Sequence, residues 1–199
     1  MNTKCWKSFL AVVAILLSAG LAHAQEKDQR VELIAGSIQI NLVLPGELQQ
    51  LSERKMALVH EQGVPAEFIF NDPVSDVILA INTFGSNADA DGLTKVVDDI
   101  KVAAARHGAD TGSIQHDLII MNGKRWLRMS VKEGAGAAEI VNEYFVTDCN
   151  GQYVLFNFSL PIAKFESYKS KFEQSARSVQ LGLTAEANGG LKKTNPREK

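Results

Sequence analysis

Two Asn-Gly pairs, Asn122-Gly123 and Asn150-Gly151, constrain this chain more than any other feature. Each sits between runs of alternating apolar and polar residues. In that setting Asn-Gly is the strongest short-range signal for a two-residue β-hairpin, because both turn positions must take positive φ. A third reversal, the small-residue turn Gly134-Ala135-Gly136, lies between them. The three reversals divide Ile114–Leu160 into four runs of strand length: Ile114–Met121, Lys124–Lys132, Ala138–Asp148 and Gln152–Leu160. Leu127, Met129 and Val131 share one face of the second run, and Val154, Phe156, Phe158 and Leu160 share one face of the fourth. Strands joined by tight reversals form an antiparallel meander.

The rest of the chain supplies the layers around it. Ser37–Leu44 alternates and stops at Pro45-Gly46, which predicts a strand. Ser52 is placed to cap a short helix reaching about Glu61, ended by Gly63 and Pro65. Ala66–Phe70 and Asp76–Thr83 read as paired strands around Asn71-Asp72-Pro73. Leu93, Val96, Val97, Ile100, Ala103 and Ala104 recur at helical spacing before Gly108. Pro161 suits the first turn of a closing helix whose stripe is Ile162, Phe165, Tyr168, Phe172, Ala176 and Val179. Helices fall between blocks of antiparallel strands instead of after every strand, which excludes a doubly wound parallel sheet. Ile78–Ile81 and Asp117–Met121 carry apolar residues on both faces, so the sheet is covered on both sides. The expected fold is α+β, a three-layer α/β/α sandwich around a central, mostly antiparallel sheet of about 6–7 strands. Its expected core includes Leu127, Met129, Val131, Phe156, Phe158, Ile100, Phe165 and Phe172.

With 199 residues, 45% of them hydrophobic and 22% charged, the chain can bury one sizeable core and is not disordered as a whole. Met1–Ala24 reads as a secretory signal peptide: Lys4 and Lys7, the apolar Phe9–Leu17, then a small-x-small site at Ala22-His23-Ala24, giving a mature start at Gln25. The apolar stretch ends near Leu21, broken by Ser18 and Gly20, short of the ~20 residues a membrane span needs. No membrane anchor is therefore expected after cleavage. Cys5 precedes the apolar run, the wrong side for lipid attachment. Cleavage leaves Cys149 alone, so no intramolecular disulfide can form and the fold must stand on packing. The junction suits a periplasm, with the extracellular medium as the second destination. Residues 25–30 read as a mobile polar lead-in, 31–181 as a single domain, and 182–199 as a disordered tail. A formal charge of −2, with only Lys192-Lys193 as a basic pair in the tail, excludes the basic surplus of a nucleic-acid binder.

The order of these elements, with particular residues, resembles the Mog1/PsbP-like superfamily. The carriers are Leu44-Pro45-Gly46 at the end of the first strand and the Asn122-Gly123-Lys124-Arg125-Trp126 hairpin. Tyr144 with Asn150-Gly151-Gln152-Tyr153-Val154, and a closing helix with Phe172, Ser175 and Ser178-Val179, complete them. The resemblance covers Ile34 to Leu181 and is to a bacterial exported member. That superfamily holds thylakoid-lumen photosystem accessory proteins, a nuclear-transport factor and bacterial periplasmic or secretion-associated proteins. It implies a non-enzymatic module that binds another protein, and it transfers no site residue, since one fold hosts many roles.

The residues themselves suggest no catalytic, cofactor or metal site. Cys149 with His60, His107 or His116 as base is the one candidate nucleophilic pair. It sits beside Asp148, which raises a thiol's pKa, and reads as a surface or half-buried turn cysteine. The histidines lack metal-ligand spacing, and His116-Asp117 on a strand point to opposite faces. Asp98-Asp99 read as a solvated helix face. Trp126 between Arg125 and Arg128 is either a cation–π patch or, as expected, buried under a covering helix. The sharpest motif is Asn87–Asp98, with oxygen-bearing side chains at loop positions 1, 3, 5 and 12 and Gly92 at 6, as in a calcium loop. Lys95 at position 9 and the short Asp98 arm speak against it. The expectation is instead that Asp91 caps the helix near Leu93 while Asp89 favours its dipole. The function expected is thus an exported, non-enzymatic accessory or partner-binding protein. The alternatives are a periplasmic immunity-type inhibitor of a secreted toxin, and a hydrolase whose site only the fold assembles.

Overall fold

The Asn-Gly pairs of the meander form the turns their φ requirement predicts: φ is 51° and 73° at Asn122 and Gly123, and 51° and 74° at Asn150 and Gly151. The computed structural model describes residues 28–61, 66–106, 109–185 and 187. The expected signal peptide, Gly63, Pro65, His107, Gly108 and most of the expected tail lie outside them. The meander consists of β6 (Gln115–Met121), β7 (Lys124–Glu133), β8 (Ile140–Cys149) and β9 (Gln152–Pro161). Upstream come β1 (Gln29–Ala35), β2 (Ile38–Leu44), β3 (Gln49–Gln50), α1 (Glu53–Glu61), β4 (Phe68–Asp72), β5 (Val77–Phe84) and α2 (Leu93–Arg106). Downstream come α3 (Phe165–Ser178) and β10 (Gln180–Leu183).

A seven-stranded antiparallel sheet in the order β3-β4-β5-β9-β8-β7-β6 forms the middle layer, and the three helices flank it in an α/β/α sandwich. Alternation sorts its side chains onto two faces. On the front face Phe70, Leu79, Ile81, Phe145, Phe156, Phe158 and Trp126 pack with α3 and with a second, three-stranded sheet, β1-β2-β10. Phe172 of α3 stacks on Phe158 at 4.4 Å between ring centroids. On the back face α2 sets Leu93, Val96, Val97, Ile100 and Ala104 over Leu127, Met129, Val131, Tyr144 and Val146. Met56 and Val59 of α1 cover Ile69, Ile78 and Ala80 beside them.

Several local expectations need correction. The Ser37–Leu44 strand, β2, leaves the central sheet for the second one, where every other residue is buried, and two-residue β3 takes the seventh place in the centre. β2 has two edges, and both are paired. Gln29 and Arg30 of the expected lead-in open β1, while Gly182 and Leu183 of the expected tail belong to β10. Pro161 closes β9 opposite Ile140 instead of starting the helix, and a 3-10 turn over Ile162–Lys164 intervenes. Phe165 is only half-buried, at the start of α3. Among the described residues no helix is long and apolar enough to cross a membrane.

Candidate functional site

β7 changes character along its front face. Trp126 is 1% exposed, packed against Phe156 with its indole N–H donated to Met121 O, so it forms no surface patch. Two residues on, the same face turns polar with Arg128, Ser130 and Lys132. These line a groove of about 520 Å³ together with Ser113, Gln115 and Asp117, Glu143 of β8, and Phe165 and Lys169 of α3. Arg128 organises it. Its Nε lies 3.4 Å from Glu143 Oε2, its Nη1 lies 3.0 Å from Glu173 Oε1, and its guanidinium lies 5.8 Å from the Phe145 ring centroid. A guanidinium has five N–H donors, and the two ion pairs fix its plane while leaving donors for an incoming acceptor. Glu143 is itself buried, so Arg128 compensates a charge that would otherwise be costly there. Lys132 and Lys169 are exposed at the margins. The strand pattern carried part of this: Arg128, Ser130 and Lys132 alternate against Leu127, Met129 and Val131. Glu143 and Glu173 could not be found that way, because strand pairing and helix packing bring them in.

The other sequence candidates disperse. Cys149 is 7% exposed and belongs to the front core, not to a surface turn. Burial pushes its thiol pKa up, Lys124 pulls it down, and Asp148 adds to the rise. His116 lies in the row of Met129 and Tyr144 on the opposite face, about 17 Å along the sheet from Cys149 at ~3.3 Å per residue. His60 Nε2 is held 2.8 Å from Ala66 O. Asp98 and Asp99 are exposed. In the Asn87–Asp98 loop Asp89, and not Asp91 as expected, supplies the side-chain acceptor ahead of the helix. Asp89 Oδ1 accepts the N–H groups of Asp91 and Gly92, at 3.1 and 2.8 Å, just ahead of α2. Asp91 instead pairs with Arg125 at 3.0 Å. A Cβ at Gly92 would collide with the Tyr153 hydroxyl, so a larger residue there must displace that ring. Among the described residues no three His, Cys, Asp or Glu side chains converge to hold a metal ion.

Two buried polar clusters escaped the sequence reading. At the β4–β5 turn, Asp72 Oδ2 accepts hydrogen bonds from Ser75 Oγ and from Tyr168 OH of α3, the latter at 2.9 Å. Val74 N–H donates to Asp72 Oδ1 at 2.9 Å. Burial opposes the Asp72 charge, but these donors outweigh it and hold the carboxyl below its ordinary value. The cluster ties α3 to the sheet. On the back face, Glu133, Asn142, Asn157 and Ser159 are buried. Asn157 donates to Asn142 Oδ1 at 3.3 Å, while its own Oδ1 has no hydrogen-bond partner among the described residues. Burial pushes Glu133 up to about 7. The Tyr144 hydroxyl is pushed above its ordinary range by burial and then by Glu133.

No family model and no curated protein matches the chain. Solved structures do. The solution structure of cyanobacterial PsbP from Synechocystis matches with a TM-score of 0.53 at 16% identity, covering 83% of this chain and 98% of that one. The Saccharomyces cerevisiae Ran-binding protein Mog1p matches with a TM-score of 0.52 at 14% identity, covering 78% of this chain and 96% of that one. This chain has the Mog1/PsbP-like fold. Identities this low establish architecture alone.

Proposed function

We propose that this chain is a bacterial exported, non-enzymatic accessory protein that binds another protein through the Arg128 groove. The observation that carries the reading is the character of the groove. Small-molecule sites are mostly apolar and enclosed. This one is lined by charged, amide and hydroxyl side chains, a doubly ion-paired arginine among them, with Phe165 as the single aromatic. Such a surface offers donors to backbone carbonyls and carboxylates of a partner segment, with an Arg and an aromatic of the kind enriched at protein interfaces. Mog1p, of the same fold, is described as Ran-binding. Export rests on the Met1–Ala24 leader, and the periplasm is the expected compartment.

Affinity capture from periplasmic extract tests the binding. The chain should retain a stoichiometric partner, and the paired surface changes Lys132→Glu and Lys169→Glu should reduce its retention about tenfold without altering the fold. Equal retention by the variant would remove the groove from the reading. Turnover in a hydrolase screen would overturn the non-enzymatic assignment, and a native N-terminus other than Gln25 would overturn the processing.

A further inference from the structure

We propose that the free edge of β6 is the contact through which two copies of this chain pair into one continuous antiparallel sheet. β6 ends the seven-stranded sheet, and no described strand pairs with its outer side. An open edge presents unpaired N–H and C=O groups that template strand addition. Which groups face outward follows from the hairpin. Asn122-Gly123 is a two-residue turn, so Met121 and Lys124 close it as a hydrogen-bonded pair. Bonded and non-bonded pairs alternate along an antiparallel ladder. Met121, Ile119 and Asp117 therefore bond to β7, while the backbone groups of His116, Leu118 and Ile120 point to the open edge.

The same strand carries two exposed apolar side chains. Leu118 is 48% and Ile120 69% exposed, on one face, with Asp117 on the other. A two-fold register centred on Ile119 sets Leu118 of each copy against Ile120 of the second copy, twice over. Centring on Leu118 would set Asp117 against Ile119, and centring on Ile120 would set Leu118 against the turn residue Asn122. Only the Ile119 register buries all four apolar side chains against one another. In it Asp117 faces Met121 of the second copy, and the next side chain in that row is Lys124, of opposite sign. A two-fold contact needs a surface complementary to itself. That match in apolar pairing and charge is why the occupant is a second copy and not a foreign strand. Seven residues a side fall well short of the ~20–30 of a standard interface, so the association is weak, with a Kd of roughly 10 μM to 1 mM.

Sedimentation equilibrium from about 10 μM to 1 mM, with amide hydrogen exchange at both ends of that range, tests the pairing. The average mass should rise toward the dimer, and the Leu118 and Ile120 amides should slow only at the upper end. Ile120→Asp alters an exposed side chain; it should leave the circular dichroism unchanged and weaken association at least about tenfold. Should that variant not fold, Leu118→Lys serves the same purpose. A monomer throughout the range overturns the proposal. So does a dimer whose Leu118 and Ile120 amides exchange as freely as in the monomer, association indifferent to these substitutions, or a foreign strand bound to a chain that stays monomeric.

Discussion

Replacing Glu133 with Gln should stabilise the protein above neutral pH and leave it nearly unchanged in acid. Glu133 continues the row of Leu127, Met129 and Val131 on the back face, is 7% exposed, and takes part in none of the ion pairs among the described residues. Burial alone raises its carboxyl from 4.5 to about 7. Between those values the native state keeps a proton that the unfolded chain has lost, so stability falls as pH rises through the window. About 1.4 kcal/mol per unit makes the loss about 3 kcal/mol by pH 8, an upper figure because the carboxyl keeps some access to water. Gln retains the shape and never ionises. Urea unfolding of both proteins at about pH 4, 6 and 8 isolates the effect, since other titrating groups cancel in the difference. Asp72 is one of these; it shifts the other way and weakens the fold as pH falls. The difference should be near zero at the acid end and grow toward about 3 kcal/mol at the alkaline end. A flat difference, or one that grows toward acid, would refute the burial argument.

Phe156→Ala should cost about 3–5 kcal/mol, because Phe156 is 1% exposed and packs on Trp126 with ring centroids 5.9 Å apart. Chemical denaturation followed by fluorescence measures it, and a loss below about 1 kcal/mol would mean that the front face is not the core. Asp89→Ala should cost about 1 kcal/mol through loss of the bonds to Asp91 and Gly92. Millimolar Ca²⁺ should not raise the melting temperature of the wild type; a calcium-dependent rise of several degrees, abolished by Asp89→Ala, would restore the calcium loop.

Local chemistry determined the meander. Asn-Gly turns and period-2 patterns are readable because a hairpin's turn and register depend on residues adjacent in the chain. Amphipathic α2 was legible for the same reason, through the spacing of Leu93, Val96, Val97, Ile100 and Ala104. The sequence also showed that Arg128, Ser130 and Lys132 share a face, but not that this face opens into a groove. Glu143 reaches Arg128 across a ladder, and Glu173 arrives from a helix 45 residues downstream. Strand partnership was equally out of reach: β2 reads the same in either sheet, and only the placement of β1 and β10 beside it decides which one it joins. Burial was the last thing left to the tertiary structure. Glu133 and Cys149 look like an ordinary strand-end acid and a turn thiol, and the largest cause of the shift in each is that distant segments withdraw water from it. A chain encodes its turns and periods locally, whereas desolvation and charge pairing belong to positions in space.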